Sequence, residues 1–256
     1  MRLSDTLKDM TSSKVRTDET VSAQLELYYD VYVPDGLATP APLLIAVHGY
    51  GAHKRYMLRE ARLVGGDRFV IASLQAPHPH YRPTPDGYRI GYGSVHQIIR
   101  RWIATDLELS GDRDVDVTGP DVAGRLLARL SGGGPVRRDE KPEQHVRLHH
   151  KFVLDVIDKL ASDQLIDRES VFMYGFSQAC ALNFRFAFTH SDVLKGIVGV
   201  CGGIPGDLDT NENYTPFTAD TLYLYGDDDE FYTQERFAEF NEKLASLLPN
   251  YRSKHY

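Results

Sequence analysis

The sequence predicts a strand that turns sharply into a helix at a serine, which few folds can accommodate. The apolar residues 171–174 lead straight into Gly175-Phe176-Ser177-Gln178-Ala179, and a helical segment follows at residues 183–188. Small residues around the serine let the helix and the strand approach each other closely. The pattern predicts a serine whose hydroxyl projects from a strained turn at a helix N-terminus.

Extended and helical segments alternate along most of the chain. The apolar run at residues 43–47 is continuous, which is typical of an interior parallel strand covered on both faces. Further extended segments are predicted at residues 25–33, 69–74, 194–200, 221–225 and 251–256, and further helices at 55–63, 145–160 and 233–247. The alternation predicts an α/β fold with a mostly parallel central sheet and helices on both faces.

Composition and charge favour a globular domain and argue against a nucleic-acid-binding or membrane-spanning protein. The 256 residues contain 42% hydrophobic and 25% charged residues, the profile of one globular domain over residues 1–256. The formal net charge of −7 repels polyanions, so no nucleic-acid partner is expected. The longest aliphatic run, residues 43–47, is far short of the roughly 20 residues that a membrane span needs. Residues 1–20 lack the apolar run of a secretory signal, and a cytoplasmic location is expected.

Residues 94–144 interrupt the alternation of strands and helices. They combine an amphipathic segment, an acidic patch and the run Ser131-Gly132-Gly133-Gly134-Pro135. We interpret them as an insertion within the single domain. Two roles stay open, a lid that shapes a binding pocket and an excursion without function.

Ser177 is the candidate nucleophile, and two loops offer candidate oxyanion donors. The backbone N–H of Gln178 lies at the predicted helix N-terminus, where it can bind the oxyanion of a tetrahedral intermediate. The loop His48-Gly49-Tyr50-Gly51 follows residues 43–47, and the N–H of Tyr50 is the candidate second donor. The alternatives are an ordinary buried serine and a tight turn that uses glycine for its geometry alone.

An acidic turn follows the predicted strand at residues 221–225. Its sequence is Gly226-Asp227-Asp228-Asp229-Glu230. A carboxylate that follows the serine in chain order can orient a histidine and stabilise the imidazolium. Four consecutive acids are equally consistent with a solvated turn.

Taken together, these motifs resemble the phospholipase/carboxylesterase group of α/β-hydrolases, small bacterial esterases related to acyl-protein thioesterases. His48 to Gly51 is similar to the HGxG oxyanion loop of that family, Gly175 to Gln178 to its GFSQ elbow, and Gly226 to Asp229 to its GxxD turn. The likeness covers residues 25–93 and 145–256.

The resemblance implies an α/β-hydrolase fold and a serine carboxylic-ester hydrolase that forms an acyl-enzyme. Ser177 would be the nucleophile, Asp229 the acid of the triad, and the amides of Tyr50 and Gln178 the oxyanion hole. The implied substrate is a small-molecule ester of short or medium acyl length, with no metal or organic cofactor. A thioesterase, a lactonase, an amidase and a non-catalytic hydrolase-like scaffold are the alternatives.

The chain departs from the family pattern at its histidine. His255 is the only histidine after Asp229, and the separation of 26 positions is shorter than such enzymes usually show. It also lies within the predicted last strand, residues 251–256, whereas the base normally sits on the loop beyond that strand. Two hypotheses follow: His255 is the base, or the sequence stops before the base. At the elbow, Ala179 replaces the usual glycine with another small residue.

The other histidines give weaker signals. His78 and His80 are spaced like metal ligands, but they lack nearby carboxylate or thiolate partners, so no metal site is expected. His149 and His150 lie in the predicted helix at residues 145–160, where we expect them to border the core. Neither oligomeric state nor physiological substrate is indicated.

Overall fold

A computed structural model describes residue 21 and residues 24–84, 87–93, 141–229 and 231–256, without the side chains of 80–89 and 141–144. Most of the predicted insertion therefore lies outside the described residues. The described strands are β1 (Tyr29–Tyr32), β2 (Ala41–Val47), β3 (Val70–Leu74), β4 (His78–Thr84), β5 (Gly87–Gly93), β6 (Ile166–Phe176), β7 (Gly196–Val200), β8 (Asp220–Tyr225) and β9 (Tyr251–His255). The helices are α1 (Lys54–Gly65), α2 (Lys141–Ser162), α3 (Gln178–Thr189) and α4 (Gln234–Leu247), and a 3₁₀ turn spans Gly66–Arg68.

Seven strands form the central sheet, in the order β1-β3-β2-β6-β7-β8-β9. Every neighbouring pair is parallel except β1 and β3, which are antiparallel. This confirms the predicted α/β class and the interior position of β2, which lies between β3 and β6. Because parallel strands share one carboxyl edge, the loops after β2, β6 and β8 lie on the same side of the molecule.

Side chains of the central strands alternate between two cores. Leu43 and Ile45 of β2 face a large cluster that includes Val153 of α2, Phe184 of α3 and Phe237 of α4. Leu44 and Ala46 point the other way, into a smaller cluster that includes Met57 and Ala61 of α1. Burial on both faces explains why β2 is apolar at every position. Of the helices that the structure describes, none is long and apolar enough to cross a bilayer.

The density of proline, histidine and tyrosine in residues 75–91 predicts a loop, and this prediction is wrong for most of that segment. β4 and β5 form an antiparallel hairpin in which Pro79 pairs with Tyr92 and Pro83 with Tyr88. The prolines suggested a loop because they cannot donate a ladder hydrogen bond. A two-stranded ribbon tolerates proline, since each of its strands has an outer edge that needs no partner.

Two histidines of α2, the buried His150 and the half-buried His149, lie at its interface with α3, as expected from their helical position. The ring of His150 lies edge-on to Phe186 at 5.4 Å and to His190 at 5.1 Å between centroids. Burial lowers the pKa of His149 to about 4 and that of His150 to about 3. Both imidazoles are therefore neutral at pH 7.

Folding stability is expected to fall as the pH drops from 7 to 5. The pKa of each imidazole is lower in the folded chain than the value near 6.5 expected in the unfolded chain. Stability is then complete above pH 6.5 and is lost as the pH falls toward the folded pKa. Each histidine costs about 2 kcal/mol of unfolding free energy at pH 5. Urea denaturation at both pH values measures this loss.

The variant His149→Gln removes one titrating group, so it should flatten the dependence of stability on pH. The matched control is His255→Gln, which changes an exposed histidine on β9. Equal pH slopes for His149→Gln and the parent chain would contradict the assignment.

Candidate active site

The turn between β6 and α3 holds Ser177 in a strained conformation. Its φ of 54° lies in the left-handed region, which residues with a side chain rarely adopt. The Ser177 N–H donates to the Val200 carbonyl at 2.8 Å, and the Cys180 N–H donates to the Ser177 carbonyl at 3.0 Å. The side chain does not cap the helix, and its Oγ makes no hydrogen bond to a described residue. The backbone is thus held while the hydroxyl is left available.

Gly49 brings the loop after β2 into contact with the serine. A Cβ placed on Gly49 would lie 3.0 Å from the Cβ of Ser177 and 3.1 Å from Cδ1 of Phe176. A side chain at this position would be crowded, so glycine favours the close approach. The next peptide, which carries the Tyr50 N–H, therefore belongs to a loop that touches Ser177, and Gln178 follows Ser177 directly. Of the two predicted oxyanion donors, Gln178 is therefore the sequence neighbour of Ser177, and Tyr50 belongs to the loop that approaches it.

His48 stabilises this loop as a neutral imidazole. Its Nε2 accepts from the Ala76 N–H at 3.1 Å and lies 2.8 Å from Nε2 of Gln75. Its Nδ1 donates to the Gly49 carbonyl at 2.7 Å. An amide N–H can only donate and a carbonyl can only accept, so these partners fix the tautomer. Burial also lowers the pKa of His48. The histidine is a structural support of the loop.

The β4–β5 hairpin holds the other side of the same loop. The Gly51 N–H donates to the Tyr92 carbonyl at 2.9 Å, and the Tyr92 N–H donates to the Ala52 carbonyl at 2.9 Å. The loop is thus fixed by His48 on one side and by β5 on the other. The hairpin that sequence reasoning missed is part of what positions the site.

Asp229 is fixed in place, unlike its neighbours. Asp227 and Asp228 are exposed, whereas Asp229 is half-buried. Its Oδ1 accepts from the N–H of Phe231 at 2.8 Å and from that of Tyr232 at 3.0 Å. Among the described residues Oδ2 has no hydrogen bond. One oxygen thus orients the carboxylate, and the other is available to a further donor.

The spacing of strands leaves room for an imidazole between Ser177 and the loop of Asp229. These residues follow β6 and β8, which are separated only by β7. Two inter-strand steps amount to about 10 Å. A histidine that donates to a carboxylate and accepts from a serine hydroxyl spans a gap of this order.

The structure does not bring His255 to Ser177. His255 pairs with Tyr225 across β8 and β9, and the two rings stack with centroids 5.7 Å apart. Its Nε2 lies 3.9 Å from Oδ1 of Asp227, and its side chain is 62% exposed. β9 is three strands from β6, which separates the two backbones by about 14 Å. In the described chain His255 contacts neither Ser177 nor Asp229.

A small pocket opens beside the elbow. Its wall includes Gln178 and Ala179, which directly follow Ser177, and His48, which directly precedes Gly49. The cavity measures about 70 Å³. Its remaining walls are mostly apolar, with Leu27, Val47, Leu74, Leu148, Phe152 and Leu182 among them. Within the described ranges no three histidine, cysteine or acidic side chains form a group that could hold a metal ion.

Sequence reasoning missed the turn at the end of β7. Cys201 adopts a φ of 47°, and Gly202 packs against the carbonyl of Ser177. The hydroxyl of Tyr223 donates to the Gly202 carbonyl at 2.5 Å. The pair Gly202-Gly203 directly after an apolar strand was the available signal, because consecutive glycines at a strand end often mark close backbone approach.

Comparisons with known proteins agree with this architecture. A family model described as Phospholipase/Carboxylesterase matches residues 137–256. A carboxylesterase of Bacillus cereus is 13% identical, covers 98% of this chain and 87% of its own, and superposes with a TM-score of 0.54. Acyl-protein thioesterase 2 of Zea mays is 16% identical, with coverages of 90% and 89% and a TM-score of 0.53.

Esterase PE8 is 18% identical to the chain, with coverages of 91% and 89% and a TM-score of 0.58. A search of curated protein sequences finds no match. At these identities the solved structures show a shared fold, and the family match indicates a hydrolase. The chain therefore has an α/β-hydrolase fold, and its residues 137–256 match the family model described as Phospholipase/Carboxylesterase, the group that its motifs resemble.

Proposed function

We propose that the protein is a serine carboxylic-ester hydrolase. The main supporting observation is the elbow itself: Ser177 has a φ of 54° at a strand-to-helix turn, and a Cβ built on Gly49 would lie 3.0 Å from Cβ of Ser177. A strained turn of this kind presents a serine hydroxyl at the edge of the sheet. The proximity of Gly49 to Ser177 supports the amide of Tyr50, the next residue, as the second oxyanion donor of the proposal.

The proposed reaction proceeds through an acyl-enzyme. Oγ of Ser177 attacks the ester carbonyl while a histidine takes its proton, and the amides of Tyr50 and Gln178 bind the oxyanion. The tetrahedral intermediate collapses, the C–O bond breaks, and the alcohol leaves with the proton of the imidazolium. Water then hydrolyses the acyl-enzyme by the same steps. Asp229 orients the imidazole through its available Oδ2.

His255 is the base that we propose from chain order. It follows Asp229 in sequence and lies on the same edge of the sheet as Ser177. To accept the serine proton it must leave its stacking contact with Tyr225 and cross several ångströms. Its exposed position on an edge strand leaves space for that movement.

The variant His255→Gln tests this assignment. If His255 is the base, kcat for p-nitrophenyl butyrate should fall at least about 1000-fold, since a triad histidine is essential for proton transfer. Lys254→Gln, an exposed change on the other face of β9, is the matched control and should retain activity. Full activity in His255→Gln would assign the base to another histidine.

The size and lining of the pocket beside the elbow favour a substrate with a short acyl group. A cavity of about 70 Å³ is small, and it suits a short acyl chain better than a long one. Its apolar walls suit a hydrocarbon chain, and its lining includes Gln178 and Ala179, which directly follow Ser177, so it is the pocket that we propose for the acyl group. We therefore propose esters of short acyl chains as the substrate class.

Widening the pocket should shift the preference toward longer chains. Leu182→Ala removes an apolar wall, so the ratio of kcat/KM for octanoate to that for butyrate should rise about tenfold. Each additional buried methylene contributes about 0.8 kcal/mol, which makes a shift of this size accessible. The control is Leu63→Ala, which changes a leucine that is 80% exposed on α1. An unchanged ratio in Leu182→Ala would place the acyl group elsewhere.

Hydrolysis of p-nitrophenyl butyrate tests the proposed esterase activity directly. A panel of a thioester, a lactone and an anilide tests which type of bond is cleaved. We expect the oxygen ester to give the highest kcat/KM. One observation favours a second candidate, a non-catalytic scaffold: no described histidine makes a hydrogen bond to Oγ of Ser177. A folded chain that cleaves no member of the panel would establish that alternative.

A further inference from the structure

The turn at Cys201 and Gly202 presses against the back of the elbow. A Cβ placed on Gly202 would lie 2.1 Å from the Ser177 carbonyl oxygen and 2.6 Å from Sγ of Cys180. These distances are shorter than any real contact, so the backbone of Gly202 itself is in contact with the elbow. Cys201 adopts a φ of 47°, which makes this second turn strained as well.

Hydrogen bonds join the elbow and the strand that leads into the turn. The Ser177 N–H donates to the Val200 carbonyl at 2.8 Å. Sγ of Cys180 lies 3.3 Å from the Val200 carbonyl and 3.3 Å from that of Gly175. Burial raises the pKa of Cys180 to about 12, so the thiol keeps its proton and can donate to either carbonyl. These bonds connect the strand that leads into the turn with the elbow at Ser177.

Tyr223 of β8 holds the turn at Cys201 and Gly202 through a hydrogen bond. It is fully buried, and its hydroxyl donates to the Gly202 carbonyl at 2.5 Å. Its ring lies between Phe184 of α3 and Phe237 of α4, with both centroids 6.4 Å away. Burial raises the pKa of the phenol, so the hydroxyl remains a donor across the working pH range. The ring packing fixes the direction in which the hydroxyl points.

We propose that Tyr223 is a positioning residue for the Ser177 nucleophile and acts through the Gly202 carbonyl. The proposal rests on the proposed esterase function. Without the hydroxyl, the Gly202 carbonyl loses its buried partner, and the two strained turns at Cys201 and Ser177 can relax together. A displacement of about 1 Å at a reacting group can cost on the order of 100-fold in rate.

The test compares Tyr223→Phe with Tyr251→Phe. Tyr251 lies on β9 and loses an equivalent bond, from its hydroxyl to Oδ1 of Asn241 at 2.8 Å. In Tyr223→Phe we expect kcat for p-nitrophenyl butyrate to fall at least tenfold with KM changed less than twofold. In Tyr251→Phe we expect the melting temperature to fall while kcat stays within twofold. Equal kcat changes in the two variants would overturn the proposal.

Amide hydrogen exchange gives a second readout that needs no catalytic activity. Peptides covering residues 174–182 should exchange faster in Tyr223→Phe than in the parent chain, and unchanged in Tyr251→Phe. If the parent chain hydrolyses no ester but shows this difference, the esterase function fails and the support of the elbow by Tyr223 stands. If exchange at residues 174–182 is the same in both variants, the positioning role is refuted whatever the activity.

Discussion

Replacing Ser177 with alanine is expected to lower kcat for p-nitrophenyl butyrate by on the order of 10⁶. Without Oγ no acyl-enzyme can form. The fold should persist, because Oγ makes no hydrogen bond to a described residue and the elbow is held by backbone contacts. Hydrolysis rates measured beside a melting curve separate lost chemistry from lost structure.

The matched control for that experiment is Ser246→Ala, which changes an exposed serine whose hydroxyl bonds the Lys243 carbonyl at the end of α4. It should hydrolyse the ester at the parent rate. Retention of more than about 1% of the activity in well-folded Ser177→Ala would show that hydrolysis occurs by another route.

Replacing Asp229 with asparagine is expected to lower kcat by on the order of 10⁴. The new side chain keeps an oxygen that can accept from the N–H groups of Phe231 and Tyr232, so the loop should keep its shape. Its amide nitrogen can only donate, however, and cannot accept a proton from an imidazole N–H. The histidine would then be held in the wrong tautomer. Steady-state kinetics on the purified variant measure the loss.

Asp228→Asn provides the comparison for this change. It removes the same charge from the adjacent exposed position, so it corrects for the long-range field of the acidic turn. We expect its kcat to stay within a factor of about three of the parent value, since exposed charges are screened. Similar losses in both variants would assign the effect to net charge and not to orientation of a base.

The central sheet could be predicted because its sequence signals are local. β2 is apolar at every position because it is buried on both faces. The strand-to-helix turn at Ser177 is encoded by five consecutive residues, 175–179. The β4–β5 hairpin could not be predicted in this way, because proline normally argues against a strand. Pro79 and Pro83 fit a strand here because the sheet has only two strands. Local propensity does not contain that information.

In the candidate site, too, the residues marked by local sequence could be predicted, and the contacts that depend on strand packing could not. Ser177 and Asp229 follow strand ends that the sequence marks clearly, and the structure places their loops two strands apart on one edge. The contact of Gly202 with the Ser177 carbonyl depends on how β7 and β6 pack, which no motif records. The stacking of His255 on Tyr225 likewise arises from strand register. Sequence order suggests His255 as the base, but register sets its distance from Ser177.

Labelling with a fluorophosphonate tests directly whether Ser177 is a nucleophile, because the probe bonds to a serine activated for attack. We expect stoichiometric labelling that peptide mass spectrometry maps to Ser177, and loss of the label in Ser177→Ala. Labelling of another serine, or no labelling of the folded chain, would contradict this expectation.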